Sequence, residues 1–160
     1  MIIKEIGSKN DTIAYTDRPT VKVVIFNGDT VLLLNDGLLP GGGIDGDETD
    51  LEAIERELLE ELGASVSNIE PIGTVIQYRN FLKKRYVIKG FTATLSSMSG
   101  ETAPQDEGEA QFSYNWYEKN VAISKVEESI SNYDSVNIND DSTQGKLFNL
   151  KTSLELLSSI

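Results

Sequence analysis

Short apolar runs, a glycine-rich loop leading into an amphipathic helix, and then further strands and helices predict an α+β fold, a mixed sheet flanked by helices. The runs Thr20–Phe26 and Thr30–Leu34 are dense in Val, Ile and Leu and are joined through Asn27-Gly28-Asp29. That is a hairpin signal, because Asn-Gly supplies the positive φ angles of tight turns. Both runs are almost continuously apolar, which places them in the sheet interior. The order of strands, helix, strands and helices argues against a regular βαβ array.

Each later element has its own justification. Asn35–Asp47, with five glycines and Pro40, reads as a loop, and Thr49–Leu62 as a helix. At about 100° per residue, Leu51, Ile54, Leu58 and Leu62 form its buried stripe. Gly63 sits where a C-terminal cap belongs. Pro71–Tyr78 and Arg85–Leu95 are strand candidates joined by a turn at Asn80–Lys84. Ser96–Ala110 is a polar loop, and Gln111–Tyr117 is a short strand carrying the only tryptophan, Trp116. Ile123, Val126, Ile130 and Tyr133 recur at helical spacing. Ser131–Gln144, rich in Asn, Asp and Ser, reads as a solvated connection before a last helix at Lys146–Ser158. The face of that helix formed by Leu147, Leu150, Leu154 and Leu157 either packs on the sheet or forms a dimer seam, so monomer and homodimer both stay open.

Composition narrows the chemistry. At 160 residues the chain is expected to be one domain, 1–160, with a helical extension at about 145–159. A net charge of −12 argues against nucleic-acid polymers and anionic membranes as general partners. The chain has no cysteine, which excludes disulfides, a thiol nucleophile and cysteine–zinc sites. It has no histidine, which removes the commonest general base and any Ser-His-Asp triad. No apolar run approaches the roughly 18 residues of a membrane span, and Lys4 and Glu5 interrupt any signal-like start. A cytoplasmic location is therefore the expectation.

The most informative stretch runs from Gly42 through Glu48 to Arg56-Glu57-Leu58-Leu59-Glu60-Glu61-Leu62-Gly63-Ala64. With Glu57 at 0°, Glu60 and Glu61 fall at about 300° and 40° on a helical wheel. Three like charges on one face repel one another. Such a face either lies in open water or draws in cations. Glu48 is either a charge favoured by the helix dipole or a support for the site.

From Gly42 to Ala64 these positions match the signature of the Nudix (MutT-like) hydrolases without a gap, with a chance match of about 10⁻⁹ per start point from average residue usage. Arg18-Pro19, Leu39-Pro40-Gly41-Gly42-Gly43-Ile44 and Trp116 resemble the family as well. The resemblance implies a Nudix-type α/β/α sandwich and a hydrolase dependent on Mg²⁺ or Mn²⁺. Its substrate is expected to be a small molecule, a nucleoside diphosphate linked to another group. Glu57, Glu60, Glu61 and the Gly41 carbonyl are implied as metal ligands. Arg56 is implied to orient a glutamate, and Glu57 or Glu60 to accept the proton of the attacking water. The rival reading is a non-catalytic member that binds a nucleotide or a protein partner as a sensor. Its usual mark, loss of a glutamate from the signature, is absent.

Other features are less decided. The family more often has glycine immediately before the first glutamate, where this chain has Asp47. The connection from Leu34 to Leu38 is very short, so a loop that often lines the substrate pocket is nearly missing. Family members commonly add an acid from a later loop, for which Glu107 and Glu109 are candidates, with Asp106 behind them. Arg79, Lys83, Lys84 and Arg85, interleaved with Tyr78, Phe81 and Tyr86, form the densest basic cluster. It is either a hairpin tip kept soluble by lysines or, with Gly42, a contact for substrate phosphates. Gly41–Gly46 also spells G-x-G-x-x-G. Asp45 and Asp47 would oppose a pyrophosphate there, and Ser65–Asn68 lacks the ribose-binding acid, so a dinucleotide site is rejected.

Overall fold

Seven strands and three helices are found in the computed structural model, which describes residues 1–99 and 112–160. The strands are β1 (Ile2–Ile6), β2 (Thr16–Asn27), β3 (Thr30–Leu34), β4 (Gly41–Gly43), β5 (Ala64–Arg79), β6 (Lys84–Met98) and β7 (Tyr114–Glu118). The helices are α1 (Asp50–Leu62), α2 (Lys119–Ser131) and α3 (Asp141–Ser158). One sheet runs β1-β5-β6-β2-β3-β7, with β4 paired to β2. It is mixed: β1–β5 and β2–β6 are parallel and the other pairings antiparallel.

Alternation along the strands sends successive side chains to opposite faces. Val21, Val23 and Ile25 of β2 pack with Ile54, Leu58 and Leu62 of α1. Val24, one step out of phase, packs with Val126 of α2 and Leu156 and Leu157 of α3 on the other face. Both faces are covered, which is why β2 and β3 read as continuous apolar runs. In α3, Leu147, Leu154 and Leu157 join this second core and Leu150 is buried, so the leucine face lies on the parent sheet.

α1 is fixed at both ends. Thr49 and Glu52 form a capping box, each side chain accepting the other's backbone N–H at 3.2 Å. Gly63, in the left-handed region at φ 58°, donates to the Leu59 carbonyl and stops the helix. Leu51 departs from the expected stripe and is 51% exposed, because the buried arc of α1 is taken by Glu57, Glu60 and Glu61 as well as Ile54, Leu58 and Leu62.

Several boundaries differ from the sequence reading. β1 was not anticipated: it is a short edge strand whose Lys4 and Glu5 mask its alternation. β2 starts at Thr16 rather than Thr20, and β5 and β6 form a longer hairpin than expected. Their outer parts are polar, held by ladder hydrogen bonds instead of apolar burial. α3 begins at Asp141, five residues early, because Asp140 caps it by accepting from the Thr143 N–H at 2.8 Å. Glu107, Glu109 and Asp106 lie outside the described residues.

Candidate active site

β4 carries the glycines to the C-terminal half of α1. It pairs Gly41, Gly42 and Gly43 with Lys22, Val21 and Thr20 of β2, so the triplet is an extended strand and not a dinucleotide-binding turn. Glycine is required at two of these positions. Gly41 has φ 135°, and a Cβ on it would stand 2.1 Å from the Val21 carbonyl oxygen. A Cβ on Gly42 would stand 2.4 Å from Glu57 Oε1. The backbone thus approaches the carboxylates as closely as a chain can.

Glu57, Glu60 and Glu61 are only 5–7% exposed. Buried carboxylates need partners. Glu61 Oε1 accepts the Gly41 N–H at 2.8 Å. Arg56 Nη1 donates to Glu57 Oε1 at 3.0 Å and to Glu60 Oε2 at 3.4 Å. The rest of the guanidinium is fixed by Glu48, with Nε on Oε2 at 2.7 Å and Nη2 on Oε1 at 2.9 Å, and by the Gly43 carbonyl at 2.9 Å. Glu48 also accepts the Asp45 N–H at 2.8 Å. A bidentate arginine clamp of this kind locks geometry as well as charge.

These contacts set the proton affinities. Hydrogen bonds from Arg56, helped by the Asp45 N–H, bring the Glu48 carboxyl down to about 2. Burial pushes Glu57 upward, against the opposing pull of Arg56. Glu57 therefore remains a more basic carboxylate than an exposed one.

A cleft of about 440 Å³ opens over this cluster. Gly41, Gly42, Gly43, Glu57 and Glu61 line one side, Arg18 and Lys22 of β2 another, and Leu34, Leu38, Leu39, Phe112 and Asn149 of α3 complete it. Lys22 Nζ donates to the Leu39 carbonyl at 3.1 Å and the Gly41 carbonyl at 3.3 Å. Burial lowers the Lys22 pKa, and the charges of Glu61 and Glu57 oppose that shift. Glu60 does not line the cleft; it lies beside Arg56.

The expected basic patch is not assembled here: none of Tyr78, Arg79, Lys83 and Arg85 lines the cleft. Arg79 is 5% exposed, stacked 4.3 Å from the Tyr86 ring centre and hydrogen-bonded to Gln77 and Asn149. Tyr78 is buried and donates to Glu5. Lys83 sits at the exposed hairpin tip, and Arg85 forms a bidentate pair with Asp17, both contacts 2.8 Å. Strand alternation and local ion pairing disperse residues that are adjacent in sequence. The sequence reading missed Lys22 and Asn149 as cleft residues, and noted Arg18 only as part of a strand entry. A lysine inside an otherwise apolar strand was the available signal for Lys22.

Comparison with known proteins agrees with the fold. The NUDIX domain model matches residues 16–134, most of the chain. The chain belongs to the Nudix family. No curated protein sequence matches it. Among solved structures, this Nudix protein is similar to a MutT NUDIX hydrolase from Burkholderia pseudomallei, at 18% identity and TM-score 0.55, covering 84% of this chain and 98% of that one. It is also similar to a NUDIX hydrolase from Nitrosomonas europaea, at 22% identity and TM-score 0.56, covering 69% and 78%. A MutT protein from Bacillus halodurans matches at 26% identity and TM-score 0.52, covering 67% and 72%. The observed sheet and flanking helices are thus an α+β Nudix sandwich, and family membership supports a hydrolase.

The donor set fits a hard divalent ion, being all oxygen: three carboxylates within five residues of α1 and a backbone carbonyl on β4. Among the described residues, no three carboxylates already stand around one point as a finished metal cage. Arg56 and a backbone N–H bond the carboxylates directly, and the charge of Lys22 acts on Glu61 and Glu57 from the same cleft. No helix among the described residues is long and apolar enough to cross a membrane.

Proposed function

We propose that this Nudix protein hydrolyses a diphosphate linkage in a nucleoside diphosphate joined to another group, using Mg²⁺ or Mn²⁺. One observation carries the reading: buried Glu57 and Glu61 line the same cleft as Lys22 and Arg18, so acid and base side chains meet in one space. Glu57, Glu61 and the Gly41 carbonyl, which line the cleft, would hold the ion, and Glu60, now beside Arg56, would turn toward it to complete the set. The ion, when bound, lowers the pKa of a coordinated water and offsets charge on phosphoryl oxygens.

The protein's own groups do the rest. Lys22 and Arg18 bind phosphate oxygens and orient the bridge for attack. Arg56, braced by Glu48, holds Glu57 and Glu60 in place. Glu57, which lines the cleft, takes the proton as the water oxygen bonds to phosphorus. The bridging P–O bond breaks and leaves two phosphorylated products.

Release of phosphorylated product from a broad panel of diphosphate derivatives, with Mg²⁺ or Mn²⁺, tests this. Glu57→Gln should lower kcat by about 10²–10⁴ while the fold persists. A chain that releases nothing from the whole panel is instead a binding module of the same fold.

A further inference from the structure

A second cleft of about 320 Å³ lies between α2 and α3 and shares Leu38 and Asn149 with the first. Asn35 and Leu38, from the tight turn that follows β3, form part of its wall. Asn35 and Asp36 adopt φ 50° and 58°, and the Leu34 carbonyl accepts the N–H groups of both Gly37 and Leu38. Among the described residues, no carboxylate lines it, in a chain of net charge −12.

Three of its polar groups, Asn149, Asn35 and Lys146, present donors, and the orientation of Asn149 begins with a group that can only donate. Arg79 Nε donates to Gln77 Oε1 at 2.6 Å, which turns the Gln77 amide nitrogen toward α3. That nitrogen donates to Thr152 Oγ1 at 2.7 Å and to Asn149 Oδ1 at 3.2 Å. Arg79 Nη2 adds a second donor to Asn149 Oδ1 at 3.3 Å. Flipping Asn149 would set its NH₂ against two donors, so its oxygen faces inward and its NH₂ is presented to the clefts. Gln77 is fully buried and Arg79 nearly so, which makes the orientation rigid. Asn35 repeats the pattern: its oxygen is taken by the Ser113 N–H and hydroxyl, leaving its NH₂. Lys146 can only donate.

We infer that this second cleft holds the base of the substrate and selects a base that turns a carbonyl, and not an amino group, toward Asn149. Uracil and hypoxanthine satisfy the donors; cytosine and adenine set an amino group against them. A buried or half-buried polar group left facing a like partner loses most of its discrimination energy at that point. The inference rests on the reading that the first cleft takes the diphosphate, since that places a base at the shared wall.

Calorimetric binding of nucleoside 5′-monophosphates tests it without needing turnover. UMP should bind at least about tenfold more tightly than CMP, and IMP more tightly than AMP by a similar factor. Asn149→Asp is nearly isosteric, keeps one oxygen on Arg79 and turns an acceptor to the cleft, so it should abolish or reverse both preferences. Equal affinities within each pair, no binding of any of the four at millimolar concentration, or an unchanged preference in Asn149→Asp would overturn it. A protein that hydrolyses diphosphates regardless of base loses this inference alone. One that prefers UMP and IMP but hydrolyses nothing keeps it and loses the hydrolase reading.

Discussion

Lys22 competes for one of the proposed metal ligands, its ammonium 3.3 Å from the Gly41 carbonyl oxygen and under the fields of Glu61 and Glu57. A divalent ion on that carbonyl must move the ammonium aside, and the cleft places it next to phosphate. Lys22→Met should therefore strengthen Mn²⁺ binding by about tenfold, roughly 1.4 kcal/mol, while raising KM for the diphosphate. Calorimetry with Mn²⁺ checks this, and unchanged or weaker binding would refute the competition. Glu48 gives a second residue-scale prediction. Its folded pKa, about 2, lies below its unfolded value near 4.5, so its stabilising contribution is present above the unfolded pKa and lost as pH falls through the folded one. The Tm difference between the wild type and Glu48→Gln should hold steady above about pH 5 and shrink between about pH 4.5 and pH 2. A gap independent of pH would mean the clamp does not act through charge.

At the scale of elements, α1 and α3 differ in how much they share with their sequences. α1 was legible because its glutamates, its apolar stripe and Gly63 all lie within one short covalent stretch whose period is that of a helix. The first turn of α3, Asp-Ser-Thr-Gln-Gly, has the composition of a connection, and the cap on Asp140 helps to make it helical. α3 is then joined to β5 by the Gln77 network rather than by apolar burial alone. Gln77→Leu would leave Thr152 and the guanidinium of Arg79 short of a buried partner. It should cost about 1–3 kcal/mol in denaturant unfolding. A neutral result would show that α3 is held by its leucines.

Across the whole molecule, the site is assembled from β2, β4, α1 and α3, and legibility follows how far apart its parts lie in sequence. Residues 42–64 were readable because one helix and one loop fix their relation. Lys22 and Asn149 were not, because only the pairing of β2 with β4 and the docking of α3 on the sheet bring them to the glutamates. The same topology separates Arg79, Lys83 and Arg85, which are neighbours only along the chain. The most direct test of the account is a Mn²⁺ titration of the wild type and of Glu61→Gln, followed by electron paramagnetic resonance. Saturable binding that weakens at least about tenfold in the variant, at an unchanged Tm, is the predicted result. Equal binding by both proteins would contradict it.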